Sequence, residues 1–162
     1  MSRLTHLDET GRARMVDISD KPSTARTARA SGKLLCARET LDRVCAGTAP
    51  KGAVVATAEL AGVMAAKRTS ELIPLCHPLP LAHVSVTIEI DPDLPGFSIE
   101  AEARTQGSTG VEMEALTAVS VACLTLFDML KAIDREMTIA DVRVVSKSGG
   151  RSGDWSSGHA GG

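Results

Sequence analysis

The sequence predicts an α+β fold in which helices pack on one face of an antiparallel sheet. Three observations lead there: apolar and polar residues alternate in "LAHVSVTIEI", the turn "DPDLPG" folds that segment back onto "FSIEAEART", and "VEMEALTAVSVACLTLFDMLKAID" keeps a helical period for more than twenty residues.

The elements follow in order. Residues 1–25 are polar and punctuated by turn formers, so a mobile arm is expected that orders against a ligand or partner. "RTARASGKLLCA" reads as a strand to about residue 37, and "RETLDRVCAG" as a short helix closed by Gly47. Val54, Val55, Ala58, Leu60, Ala61, Met64 and Ala65 recur at helical spacing and predict a second helix behind Pro50. The hairpin comes next, with its turn at 91–96. The long helix then opens at "STG", where Ser108 or Thr109 can cap it. Its small residues on several sides imply burial on more than one face. "MTIADVRVVSKSGG" supplies a last strand, and the chain is expected to be flexible over 156–162. The order β, α, α, β, β, α, β is that of a ferredoxin-like sheet with an added helix, one domain spanning 26–155.

At 162 residues, 43% apolar and 23% charged, the chain can bury a proper core. No uninterrupted apolar run approaches the roughly 20 residues of a membrane span. The N-terminus lacks a secretory apolar stretch, and Asp8, Glu9, Asp17 and Asp20 argue against a transit peptide, so a cytoplasmic protein is expected. Cysteines 36, 45, 76 and 123 have neither disulfide-framework nor zinc-ribbon spacing. Residues 1–33 carry seven Lys/Arg against four Asp/Glu, while the rest carries 11 against 16, which points to a cationic arm near something anionic. With a net charge of −2 and one Trp, two Phe and no Tyr, nucleic-acid binding is disfavoured.

Chemistry concentrates in three places. In "ELIPLCHPLPL" the prolines stiffen residues 71–81, exclude a helix and withhold the donors of a central strand. Cys76 and His77, adjacent in extended backbone, point to opposite sides, which disfavours both a shared metal and a nucleophile–base pair. Either a plain core cysteine beside an exposed histidine, or the wall of a binding pocket, remains. Glu112 and Glu114 sit in the first turn of the long helix, where the macrodipole favours carboxylates; being two apart, they face different ways, so one can point inward. Asp128 and Lys131, three apart, share a face in an otherwise apolar segment, which suggests a buried or functional pair rather than a solvated one. Glu114 and Asp128 are separated by ~21 Å along a straight helix, so a site using both has to be assembled from two subunits. Lys21, Arg26, Lys51, Lys131, Lys147 and Arg151 are cations without a basic face, and "KSGGRSG" can cradle phosphate through its backbone amides.

Together, "MVDISDKPSTARTARASG", "KGAVVATAELAGVMAAKRTSELIPLCHPLPL" and "TGVEMEALTAVSVACLTLFDMLKAID", with the later "VVSKSGGRSGDW", resemble the MoaC family, the cyclic pyranopterin monophosphate synthases of molybdenum cofactor biosynthesis. The likeness runs from Met15 to Trp155. It implies a ferredoxin-like lyase assembled as a hexamer, a trimer of dimers with active sites between subunits. Its substrate is a cyclised dihydro-GTP, rearranged to a pyranopterin, closed to a cyclic phosphate and stripped of pyrophosphate. The resemblance further implies that Leu75, Cys76 and His77 line the substrate pocket with Glu112, Met113 and Glu114, that Asp128 is the catalytic acid/base with Lys51 and Lys131 as essential lysines, and that Arg26 and Lys147 contact phosphate. No resident cofactor is required, and magnesium enters, if at all, with the triphosphate. The competing readings are a non-catalytic nucleotide-binding oligomer and a single-strand RNA module.

Overall fold

The first strand, β1 (Thr24–Leu35), is two-faced because small apolar residues alternate with polar ones: Ala28, Ala30 and Leu34 are buried while Arg29 is exposed. In the computed structural model, which describes residues 5–158, it is followed by α1 (Arg38–Cys45), α2 (Val54–Ala66), α3 (Thr69–Leu72), β2 (Leu81–Asp91), β3 (Gly96–Gly107), α4 (Glu112–Leu130), β4 (Thr138–Ser148) and β5 (Trp155–Ser156). The strands form one antiparallel sheet in the order β2-β3-β1-β4-β5. The expected ferredoxin-like α+β arrangement is therefore present, with two additions. A single turn, α3, reaches Leu72 and so enters the proline-rich stretch, which is irregular only from Ile73; and the two-residue β5 pairs with the end of β4. Of the expected arm, residues 1–4 lie outside the described residues, and of the expected tail, residues 159–162 do.

α4 is the centre of the core. It packs on α2, on β1, β3 and β4, and buries Ala115, Ala118, Val119, Ala122, Cys123 and Leu126 completely. Two glycines set how close it comes. A Cβ on Gly32 of β1 would stand 2.7 Å from Val119 Cγ1, and one on Gly62 of α2 would stand 2.8 Å from the Ala118 carbonyl oxygen. By length and composition α4 could cross a membrane, but the fold buries most of it, as for the core helix of a globular domain.

The ends of α4 differ from expectation. Val111, not Ser108 or Thr109, occupies the N-cap, and no side chain caps the helix; the Ser108 hydroxyl donates instead to the Lys21 carbonyl (3.1 Å). The helix also stops at Leu130 rather than near Asp134, because Asp134 turns away to accept bonds from the Ala37 amide and the Thr40 hydroxyl, both at 2.9 Å. Gly47 behaves as read: its φ of 71° lets the chain leave α1 through a left-handed residue.

The two outer surfaces are unlike. The open face of the sheet is polar, with Arg29 near Glu100 and Glu102 and Lys33 near Asp141. On the helical side apolar residues stay uncovered: Leu60 is 61% exposed, Met64 50%, Leu72 57% and Leu124 57%. Here Leu72, Ile73, Met113, Leu116, Val121 and Val142 line a groove of about 440 Å³.

Candidate active site

At the N-terminal end of α4 the rigid segment after α3 carries Cys76 against the helix. Its thiol donates to Glu114 Oε1 at 3.9 Å. Glu114 is only 3% exposed, and its Oε2 is buried without a hydrogen-bond partner. Burial raises the Glu114 carboxyl above its ordinary range, and the neighbouring charge of Glu112 pushes the same way. The Cys76 thiol is raised too, by burial first and by Glu114 second. The inward carboxylate anticipated from the two-residue spacing is thus Glu114, and it presents an unsatisfied oxygen that a ligand could use.

His77 turns the other way. Its Nε2 lies 2.6 Å from the Val16 carbonyl oxygen, and since a carbonyl can only accept, Nε2 carries the proton. The arm ahead of β1 therefore lies against this end of α4, through Val16 on His77 and Lys21 on Ser108. Cys76 and His77 engage different partners, as their opposed directions required. Among the described residues, no group of three or more His, Cys, Asp or Glu is arranged to hold a metal ion.

Beside them stands a charged cluster. Lys147 Nζ is 3.6 Å from Glu112 Oε1 and donates to the Ser152 hydroxyl (2.6 Å), while Arg26 Nε donates to the Gly107 carbonyl (3.0 Å). Arg26, Gly110, Glu112, Lys147 and Gly149 enclose a small cavity of about 50 Å³. The loop that closes it turns through Gly149 and Gly150, with φ of 87° and 78°, conformations that a side chain would strain. The sequence hinted at this cluster through "KSGGRSG"; the pairing of Lys147 with Glu112 had no local signal.

A second set lies at the other end of α4. Asp128 Oδ1 is 2.6 Å from Lys131 Nζ, and Asp128 Oδ2 is 3.1 Å from Lys51 Nζ. Lys51 also donates to the Asp128 carbonyl at 3.2 Å. Hydrogen bonds from Lys131 and then Lys51 hold the Asp128 carboxyl below its ordinary range. Of the two alternatives expected for this pair, buried or functional, burial is corrected here. The side chains of Asp128, Lys131 and Lys51 are 56%, 55% and 46% exposed, because the apolar neighbours Leu126, Met129 and Leu130 take the inward positions of the last turn. Lys51 joins from 77 residues away, brought by the packing of α2 on α4, which no local motif could announce.

One chain therefore brings the candidates together as two sets and not as one. Cys76, His77, Glu112, Glu114, Arg26 and Lys147 gather near the start of α4, with Leu75 half-buried beside them; Lys51, Asp128 and Lys131 gather at its end. The straight helix between holds Glu114 and Asp128 ~21 Å apart. Met113 faces neither set but the apolar groove between them. A further depression, about 420 Å³, lies on the polar face of the sheet and is lined by none of these residues.

Residues 15–150 match the MoaC family. A protein of Methylobacterium nodulans named cyclic pyranopterin monophosphate synthase is 65% identical over 153 residues, covering 94% of this chain and 96% of its own length. Proteins of the same name are 62% identical in Roseiflexus sp. (96% and 98% covered) and 59% identical in Brucella ovis (94% and 93% covered). With its sheet order, its nearly full-length relatives and a family match over most of its residues, the chain belongs to the MoaC family.

Proposed function

We propose that this protein is a cytoplasmic lyase that converts a cyclised dihydroguanosine triphosphate into cyclic pyranopterin monophosphate and pyrophosphate, a step of molybdenum cofactor biosynthesis, in active sites shared between two protomers. The single observation that carries the shared site is the division of the charged groups between the two ends of α4. A molecule the size of a nucleoside triphosphate cannot bridge that helix comfortably while also being enclosed by it.

A second copy resolves the division. If two α4 helices pack antiparallel, a two-fold axis passing between Ser120 and Val121 sets Met113 of one copy level with Asp128 of the other. Both ends then meet twice, and Leu124 and the apolar groove are covered in the same step. The assembly of three such dimers into a hexamer is carried over from the family resemblance.

In this reading each set has a distinct task. Asp128, kept ionised by two ammonium groups, accepts protons near neutral pH, and Lys131 and Lys51 supply protons or compensate negative charge as pyrophosphate departs. Leu75, Cys76, His77 and Met113 form the wall of the pocket, with the unpartnered oxygen of Glu114 turned to the ring and the His77 imidazole held in place by its bond to the Val16 carbonyl. Arg26, Lys147 and the glycine-rich loop beside Glu112 receive phosphate oxygens. Ring rearrangement, cyclisation and loss of pyrophosphate involve no net electron transfer, so side chains suffice, with magnesium arriving as the counter-ion of the triphosphate.

The experiment is incubation of purified protein with the cyclised dihydro-GTP, followed by detection of pyrophosphate and the cyclic phosphate product. Wild type yields both; Asp128→Asn and Lys51→Ala stay folded, since both positions are half exposed, and yield neither. Wild-type turnover in either variant would overturn the assignment.

A further inference from the structure

β5 is two residues long and adds nothing to the buried core, yet the chain is returned to the sheet edge to form it. Gly149, Gly150 and Gly153 all adopt positive φ (87°, 78° and 68°), the Gly149 amide donates to Asp154 Oδ1 (3.2 Å), and Ser157 N donates to the Val145 carbonyl (2.9 Å). The result fixes one side chain. Trp155 pairs directly with Lys147 in the ladder.

Directly opposed residues of an antiparallel pair share a face, with Cβ atoms roughly 5 Å apart. On its other side Lys147 is paired with Ala28, which is buried under the helices. Lys147, and with it Trp155, therefore stands on the helical side, where Lys147 meets Glu112 and lines the small cavity with Arg26. Trp155 is the chain's single tryptophan, and it is 48% exposed. The two phenylalanines are unlike it: Phe97 is fully buried and Phe127 half-buried. Had the indole filled the core, it would be as closed to solvent as Phe97. Instead about half of its surface stays open, on the side of the sheet that carries Lys147.

We infer that Trp155 is a specificity-determining residue that stacks on the guanine-derived ring of the substrate while Lys147 and Arg26 hold its phosphates. This inference rests on the proposed function for the identity of the ring. The chemistry suits such a ligand: the planar six-membered ring of a guanine derivative gains from stacking on an aromatic face, and a neighbouring anionic chain gains from Lys147 and Arg26. The phosphate groups alone would have no use for an indole.

Because only one tryptophan is present, intrinsic fluorescence reports on Trp155 alone. GTP is expected to quench it saturably, whereas inorganic tripolyphosphate at the same charge leaves it nearly unchanged. In turnover of the cyclised substrate, Trp155→Ala raises KM by about 5- to 100-fold and changes kcat little, and Trp155→Phe recovers most of the loss. Equal quenching by tripolyphosphate, or an unchanged KM in Trp155→Ala, overturns the inference while leaving the proposed function standing. Absence of product from the wild-type protein sinks the proposed function instead, and the GTP-against-tripolyphosphate comparison then still decides whether Trp155 meets a purine.

Discussion

Mixing two inactive variants should restore activity if each site draws on two protomers. One variant carries Asp128→Asn, which removes the carboxylate shared by Lys51 and Lys131. The other carries His77→Ala with Arg26→Ala, which removes an imidazole of the pocket wall and a cation from the opposite end of α4 without opening the core. Each alone should retain ~1% or less of wild-type kcat/KM, the usual consequence of losing acid–base or charge-stabilising groups. In an antiparallel α4 pair, a mixed dimer contains one site with all the defects and one with none. Random exchange makes about half of the dimers mixed and each regains one of two sites, so about a quarter of wild-type activity should return. The assay is pyrophosphate release at substrate concentrations below KM, after the two differently tagged proteins have been unfolded and refolded together, with sequential affinity capture to verify mixed dimers. Leu124→Arg, which places a charge on the exposed stripe of α4, should prevent both mixing and rescue. Recovery no greater than that of the parents, in a sample shown to contain mixed dimers, would refute the shared site.

Two further outcomes test the fold and its buried carboxyl. Gly62→Val pushes side-chain atoms against the Ala118 carbonyl, where even a Cβ would be 2.8 Å away, and should cost about 1–3 kcal/mol in urea unfolding, against little for Ala56→Val on the exposed side of α2. Glu114 has a raised pKa in the folded state, so above the ordinary range of a glutamate the unfolded chain gives up its proton first; the Glu114 contribution is intact below that range and declines as pH rises through the folded value. Glu114→Gln should flatten this decline in unfolding midpoints measured from pH 4 to pH 8, and an unchanged pH profile would contradict the burial argument.

Much of the fold was legible because its signals are local. Alternation in β1, β2 and β3 reflects a sheet with one buried face, and the small-residue periodicity of α4 reflects a helix enclosed on several sides. That one of Glu112 and Glu114 turns inward followed from helix geometry, but not which of them, and the opposed directions of Cys76 and His77 followed from extended backbone. What escaped depended on distant contacts. Ser108 was a plausible cap until the arm offered it the Lys21 carbonyl, and α4 read as longer than it is until Asp134 found Ala37 and Thr40. The exposure of Asp128 and Lys131 has no signal in the apolar segment around them, because neighbours on a helix share a turn but not a side. β5 carries too few residues for any periodicity and exists only by pairing with β4.

α4 also acts as a measuring rod. Each residue adds ~1.5 Å of rise and ~100° of rotation, so inserting or deleting one in its middle would swing Asp128 and Lys131 around the axis relative to Glu112 and Glu114. With two such rods laid head to tail, the same error would be written into both junctions at once. Length changes in this segment should therefore be tolerated only when they come in near-whole turns, whereas the loops at either end have no comparable constraint.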